Sequence, residues 1–158
     1  MHPGLQTQLA ARLRRETNGE VLFSRAARGR YATDASIYQI EPVGVLVPRT
    51  IEDVQTAMAI AREVGVPLLP RGGGTSQCGQ TVNQALVLDC SKYLRNVLEI
   101  DPDPRRAVVE PGVVLGHLNA ALKPHGLFFP VDPSTHARCT IGGWRPTIPS
   151  AASRSATG

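Results

Sequence analysis

Aromatic side chains make up only 4% of this sequence, and lysine occurs only at Lys92 and Lys123. Nucleic-acid binders usually combine a basic stripe with aromatics for stacking, and a net charge of +4 from 17 basic and 13 acidic residues gives no such stripe. Cysteine is also sparse. Cys78, Cys90 and Cys139 are odd in number, widely spaced and form no C-x-x-C, which excludes a disulfide framework and a zinc site. They read as structural thiols of a reducing compartment. No apolar run approaches the roughly 20 residues that a membrane-spanning helix needs, and no signal-peptide core follows Met1. The expectation is a cytoplasmic protein with no membrane span, no metal and no nucleic-acid partner.

What is present suits a packed domain. The 158 residues are 42% hydrophobic and 19% charged, enough for one domain or one plus part of another. With 15 glycines and 13 prolines, the chain reads as a loop-rich mixture of helices and strands and not as a helical bundle. Residues 5–15 form a short basic amphipathic helix that sets Leu5, Leu9 and Leu13 on a core; a mitochondrial presequence has the same look. Residues 17–40 show no period and read as an ordered loop.

From Val43 the pattern sharpens. Residues 43–47 are a buried strand ended by Pro48. Thr50 can cap the amide of Asp53, and Val54, Ala57, Met58 and Ala61 recur as the core face of a helix over 51–64. Gly65 supplies a left-handed stop, and residues 66–70 are the next strand. This β-α-β unit empties into Arg71-Gly72-Gly73-Gly74-Thr75-Ser76. Residues 86–89 read as a strand, and 97–100 and 107–110 as the arms of a hairpin. A second helix carries Leu115, Leu118 and Leu122 and stops near Pro124 and Gly126.

Three glycines after a strand let backbone N–H groups bind phosphate oxygens, with Thr75 and Ser76 as added donors. No Gly-Lys-Ser/Thr follows, so the loop is not a Walker A, and contiguous glycines do not make the G-x-G-x-x-G fingerprint. A second small, hydroxyl-rich segment runs through Pro130-Val131-Asp132-Pro133-Ser134-Thr135 to Thr140-Ile141-Gly142-Gly143. Two such loops can hold a diphosphate from both sides.

In order and spacing this pair of loops resembles the FAD-linked oxidase family, whose FAD-binding domain is of the p-cresol methylhydroxylase and vanillyl-alcohol oxidase type. The likeness is strongest to its branch of glycolate oxidase subunits and D-lactate dehydrogenases. The resemblance implies an α+β fold, present here in its first part only as a β-α-β unit, a hairpin and a second helix. It implies FAD as cofactor, with Arg71, Gly72, Gly73, Gly74, Thr75, Ser76 and Gly79 at the diphosphate. Pro130, Asp132, Ser134 and Thr135 would lie near the flavin, and Thr140, Gly142 and Gly143 would close on the cofactor again. No catalytic residue is carried over. The relatives oxidise 2-hydroxy acids by hydride transfer to flavin, so such a substrate is expected only for the full-length protein. His136 is the one histidine placed near the flavin and reads as a loop residue without a covalent link.

After Gly143 the resemblance stops. The organisation expected is a helix and loop over 1–39, an incomplete FAD-binding domain over 40–143 and an aberrant tail over 144–158. Trp has a single codon, and the neighbouring reading frame can encode Met-Ala-Ala-Asn-Asn-Ser, closer to the family's continuation. The expectation is a frameshifted, truncated chain that binds FAD weakly and is inactive alone. Two other readings stay open: a non-catalytic nucleotide- or phosphate-binding module, and a UDP-sugar reductase of the same fold.

Overall fold

The computed structural model describes residues 3–144, so the expectations for the tail beyond Trp144 lie outside the described residues. Four strands form one sheet in the order β1-β2-β4-β3: Glu20–Leu22 (β1), Gly44–Val47 (β2), Leu68–Arg71 (β3) and Leu86–Asp89 (β4). β1 is antiparallel to β2, and the other neighbours are parallel. Every residue of β2 and β4 is buried. Leu46, Leu86 and Leu88 point to one face, while Val45, Val47 and Val87 point to the other. Unbroken apolar runs are what parallel strands covered on both faces require.

The helices Pro3–Glu16 (α1) and Ile51–Glu63 (α3) cover the first face, where Leu9 and Leu13 join Ala57, Ile60 and Ala61 against the sheet. The start of α3 is as the sequence predicts. Thr50 Oγ1 accepts the Asp53 N–H at 3.3 Å, and Asp53 accepts the Thr50 N–H at 3.3 Å. The Asp53 carboxylate, 3% exposed, also accepts the N–H groups of Asn18 and Arg49, each at 2.8 Å. One buried carboxylate therefore ties the α1–β1 connection to the start of α3. At the other end Gly65 takes φ +66.

Three expectations need correcting. Met58 is half exposed, and the buried face of α3 is Asp53, Ala57, Ile60 and Ala61. Met58 sits about 100° round the helix from Ala57, at the flank of the buried arc. Residues 17–40 are not all loop, since they hold β1 and the short helix Arg25–Arg30 (α2), capped by Ser24 Oγ on the Ala27 N–H. Elements this short carry no readable period, and β1 is defined by its pairing with β2. Finally, β3 runs from Leu68 to Arg71 and not over 66–70, with Val66 buried ahead of it.

Among the described residues β3 is an edge strand. Leu86 N–H donates to Pro67 O and Cys90 N–H to Arg71 O, so odd-numbered residues of β3 turn their backbone groups toward β4. Pro70, with no N–H, falls on the outward side.

The hairpin expected from the sequence is Val97–Asp101 (β5) and Arg106–Val109 (β6), and the second helix is Leu115–Leu122 (α4). Val97, Ile100, Ala107 and Val109 pack with Leu118 and Leu122, and Phe129 and Ile141 join them. This second cluster brings the chain after α4 back to the end of β3.

Candidate cofactor-binding site

The glycine loop begins where β3 ends, at the carboxyl edge of the parallel strands, where ligands of such sheets are usually held. No residue among those described accepts a hydrogen bond from the N–H groups of Gly72, Gly73, Gly74, Thr75 or Ser76. A run of consecutive amides without acceptors among the described residues can present several N–H groups to an anion. Gly74 has φ +64, a conformation that a Cβ would strain.

The second loop packs on the first. A methyl group built on Gly72 would overlap Thr140 Oγ1 and stand 3.0 Å from Thr140 Cβ, and one on Gly73 would overlap Arg138 O. Thr140 is 3% exposed and bridges Val114, so it is held in place from behind. The turn leading to it is fixed on the start of α4, where Gly116 N–H donates to His136 O and Leu115 N–H to Cys139 O, each at 3.1 Å. Cys139 is buried, which pushes its thiol up, against an opposing hydrogen bond with Thr135. After Thr140 comes the single turn Ile141–Trp144 (α5), in which Gly142 lies against Pro111 and its N–H donates to Pro111 O at 2.9 Å.

The residues singled out from the sequence thus divide. The structure sets Gly72 and Gly73 directly against the Arg138–Thr140 stretch. Ser76 Oγ accepts the N–H groups of Cys78 and Gln80, closing the loop's far turn, and Gly79 (φ +72) receives the ring of Tyr38. Pro130, Asp132 and Ser134 are exposed on the chain entering the second turn, and the His136 side chain is exposed as well. Arg71 does not stand free as a cation. Its guanidinium donates to Tyr31 O at 3.2 Å, Thr33 O at 2.8 Å and Thr81 O at 3.1 Å, and it lies 5.3 Å from the Tyr31 ring centroid.

Those partners reveal an arch over residues 31–39 that the sequence reading missed. Asp34 accepts the Ser36 N–H at 2.8 Å, the Thr81 hydroxyl at 2.9 Å and the Thr81 N–H at 3.3 Å. Partial burial raises the Asp34 carboxyl, but these hydrogen bonds outweigh it and hold it below the ordinary carboxylate range. Ala35 N–H donates to Gly74 O at 3.1 Å. The local signal was Asp34-Ala35-Ser36, an Asx-turn pattern. Beneath the arch, Tyr31 donates its hydroxyl to the buried Asp89 at 2.7 Å; burial first, and that carboxylate second, raise the Tyr31 phenol well above its usual range.

These features define a class, a domain in which a run of backbone amides without acceptors among the described residues faces a second small-residue loop. The chain belongs to the FAD binding domain family, whose model matches residues 42–153. It is 44% identical over 128 residues to D-2-hydroxyglutarate dehydrogenase of Pantoea ananatis, covering 79% of this chain and 12% of that protein. Its identity to the glycolate oxidase subunit GlcD of Bacillus subtilis is 40% over 123 residues, covering 76% of this chain and 26% of that protein. The chain therefore spans about an eighth to a quarter of the length of these relatives. Among solved structures, 4-ethylphenol oxidase from Gulosibacter chungangensis matches with a TM-score of 0.72 at 25% identity, over 84% of this chain and 27% of that one. p-Cresol methylhydroxylase matches with a TM-score of 0.63 at 20% identity, over 80% and 26%, a likeness of fold alone. The fold is α+β, part of the FAD-binding domain of that type, and the cofactor of this family is FAD. No helix of the described residues is long and apolar enough to cross a membrane.

Proposed function

We propose that this chain forms the diphosphate-holding part of an FAD site in an oxidoreductase acting on a 2-hydroxy acid. The observation that carries the reading is the run of amides from Gly72 to Ser76 that have no acceptor among the described residues, seated against the buried Thr140. Those N–H groups would receive the diphosphate oxygens without any side chain intervening. Thr75 adds a hydroxyl, and Arg71 contributes by shaping the loop through the carbonyls of Tyr31, Thr33 and Thr81. Thr140 and Gly142 close the second side, while Pro130, Asp132, Ser134 and Thr135 line the approach toward the ring system. When bound, FAD supplies the hydride acceptor. The described residues supply binding and orientation, and no residue of this chain is assigned a catalytic role. The names of the relatives support a 2-hydroxy acid as substrate of a full-length protein, and we place such a protein in the cytoplasm, with residues 40–143 as its cofactor-binding unit.

A backbone nest open to solvent competes with water, and a few charge-assisted bonds must also offset the lost freedom of the ligand. The chain by itself is thus expected to bind FAD in about the 0.1–1 mM range. Fluorescence titration with FAD, competed by ADP and by inorganic pyrophosphate, tests this. Competition by both supports a diphosphate site. FAD binding indifferent to pyrophosphate would refute it, and equal affinity for ADP and FAD would favour a general nucleotide module.

A further inference from the structure

We propose that the arch of residues 31–39 is the positioning device of the glycine loop, and that Asp34 and Ala35 set the direction of the Thr75 amide. The inference rests on the diphosphate reading above. Across a trans peptide, C=O and N–H point in opposite directions, and the described residues contain no cis peptide. Gly74 O accepts the Ala35 N–H at 3.1 Å. The N–H of Thr75, in the same peptide plane, is therefore turned away from the arch and left available to a ligand. Arg71 O in turn accepts the Cys90 N–H at 3.0 Å, which turns the Gly72 N–H away from β4. The sheet fixes the first amide of the nest, and the arch fixes the fourth.

The arch holds its own position through the two ends of the loop it spans. Arg71, at the start, donates to Tyr31 O, Thr33 O and Thr81 O. Thr81, just beyond the loop's far turn, gives its hydroxyl and its N–H to Asp34. Removing the Ala35 N–H leaves the Gly74–Thr75 peptide free to rotate, while Gly72 keeps its anchor. Ala35 is exposed, so Ala35→Pro deletes the donor with little change in packing.

The test follows the amide resonances of the 15N-labelled chain during titration with inorganic pyrophosphate and, separately, with ADP. In the unaltered chain both the Gly72 and the Thr75 amides move downfield. In Ala35→Pro the Gly72 displacement persists, the Thr75 displacement shrinks, and affinity for pyrophosphate falls about fivefold. Asp34→Ala gives the same split, and Asp34→Asn, which keeps one carbonyl acceptor for Thr81, recovers part of it. A merely structural arch would lower thermal stability in these variants and leave the two amides moving together. An undiminished Thr75 displacement in Ala35→Pro and Asp34→Ala overturns the proposal while sparing the diphosphate reading. If neither amide moves in the unaltered chain, the diphosphate reading fails and this inference with it.

Discussion

Replacing Gly72 by Ala places a methyl group in the seam between the two loops. Its carbon would overlap Thr140 Oγ1 and lie 3.0 Å from Cβ and 3.3 Å from Cγ2 of the same side chain. Rotating Thr140 does not relieve this freely, because the side chain is 3% exposed, its backbone is bridged to Val114, and turning Oγ1 aside moves it or Cγ2 into packed neighbours. The loops must part. Overpacking of this kind costs about 1–3 kcal/mol, which for a domain of this size lowers Tm by about 3–10 °C. Thr140→Ala removes Oγ1 and Cγ2 and should cost about 1 kcal/mol through its lost methyl and hydroxyl packing. The double variant keeps only the 3.0 Å approach to Cβ, so it should be more stable than the two single losses added together, by about 1–2 kcal/mol. Urea unfolding of the four proteins closes the cycle. Strictly additive losses would mean that the loops do not meet at Gly72 and Thr140, and the two-sided site would lose its basis.

Three further outcomes follow from other parts of the molecule. Asp53→Ala removes the acceptor of the Asn18, Arg49 and Thr50 N–H groups and the N-terminal cap of α3, and should cost about 1–3 kcal/mol in urea unfolding, with Asp53→Asn recovering part; a loss below about 0.5 kcal/mol would contradict the assigned role. Of the three free thiols, exposed Cys78 should react with an aromatic disulfide reagent at pH 8 at least about tenfold faster than the others, since burial pushes Cys90 up to about 11 and also raises Cys139; three equal rates would refute this. Tyr31 is raised above its ordinary 10.0, so the folded chain favours the neutral phenol, its contribution is complete below that pH, and stability declines as pH rises beyond it because the unfolded chain ionises first. Melting between pH 9 and 11 should show a shallower decline for Tyr31→Phe, and an unchanged slope would discount the Tyr31–Asp89 pair.

Much of the framework was legible because its signals lie along the chain. β2 and β4 are short apolar runs, α3 opens on Thr50 and Asp53 and stops at Gly65, and the hairpin and α4 follow the same one-dimensional grammar. The glycine loop was legible by type, since contiguous glycines at a strand end leave few readings, and its pairing with Thr140 followed from recognising a second small-residue loop. The arch was not legible. Its bonds join Asp34 to Thr81, Arg71 to Tyr31 and Thr33, and Ala35 to Gly74, and tertiary packing alone creates such pairs. For the same reason the bonds of the Arg71 guanidinium to the carbonyls of Tyr31, Thr33 and Thr81 could not be read from the sequence. Met58 and Ile60 exchanged places because helical spacing gives the width of an apolar arc more securely than its centre, which here the buried Asp53 sets.

The place of Pro70 on β3 bears on how copies of this chain behave at high concentration. An open edge is a template along which a foreign strand can register, amide by amide, and so begin an ordered aggregate. Here the outward row of a four-residue strand has lost one of its donors to the pyrrolidine ring, and charged Arg71 follows immediately. An arriving strand finds too few consecutive partners to hold its register. The same ring interrupts the row of outward amides two residues ahead of Gly72, so growth of the sheet is checked just before the glycine loop leaves it.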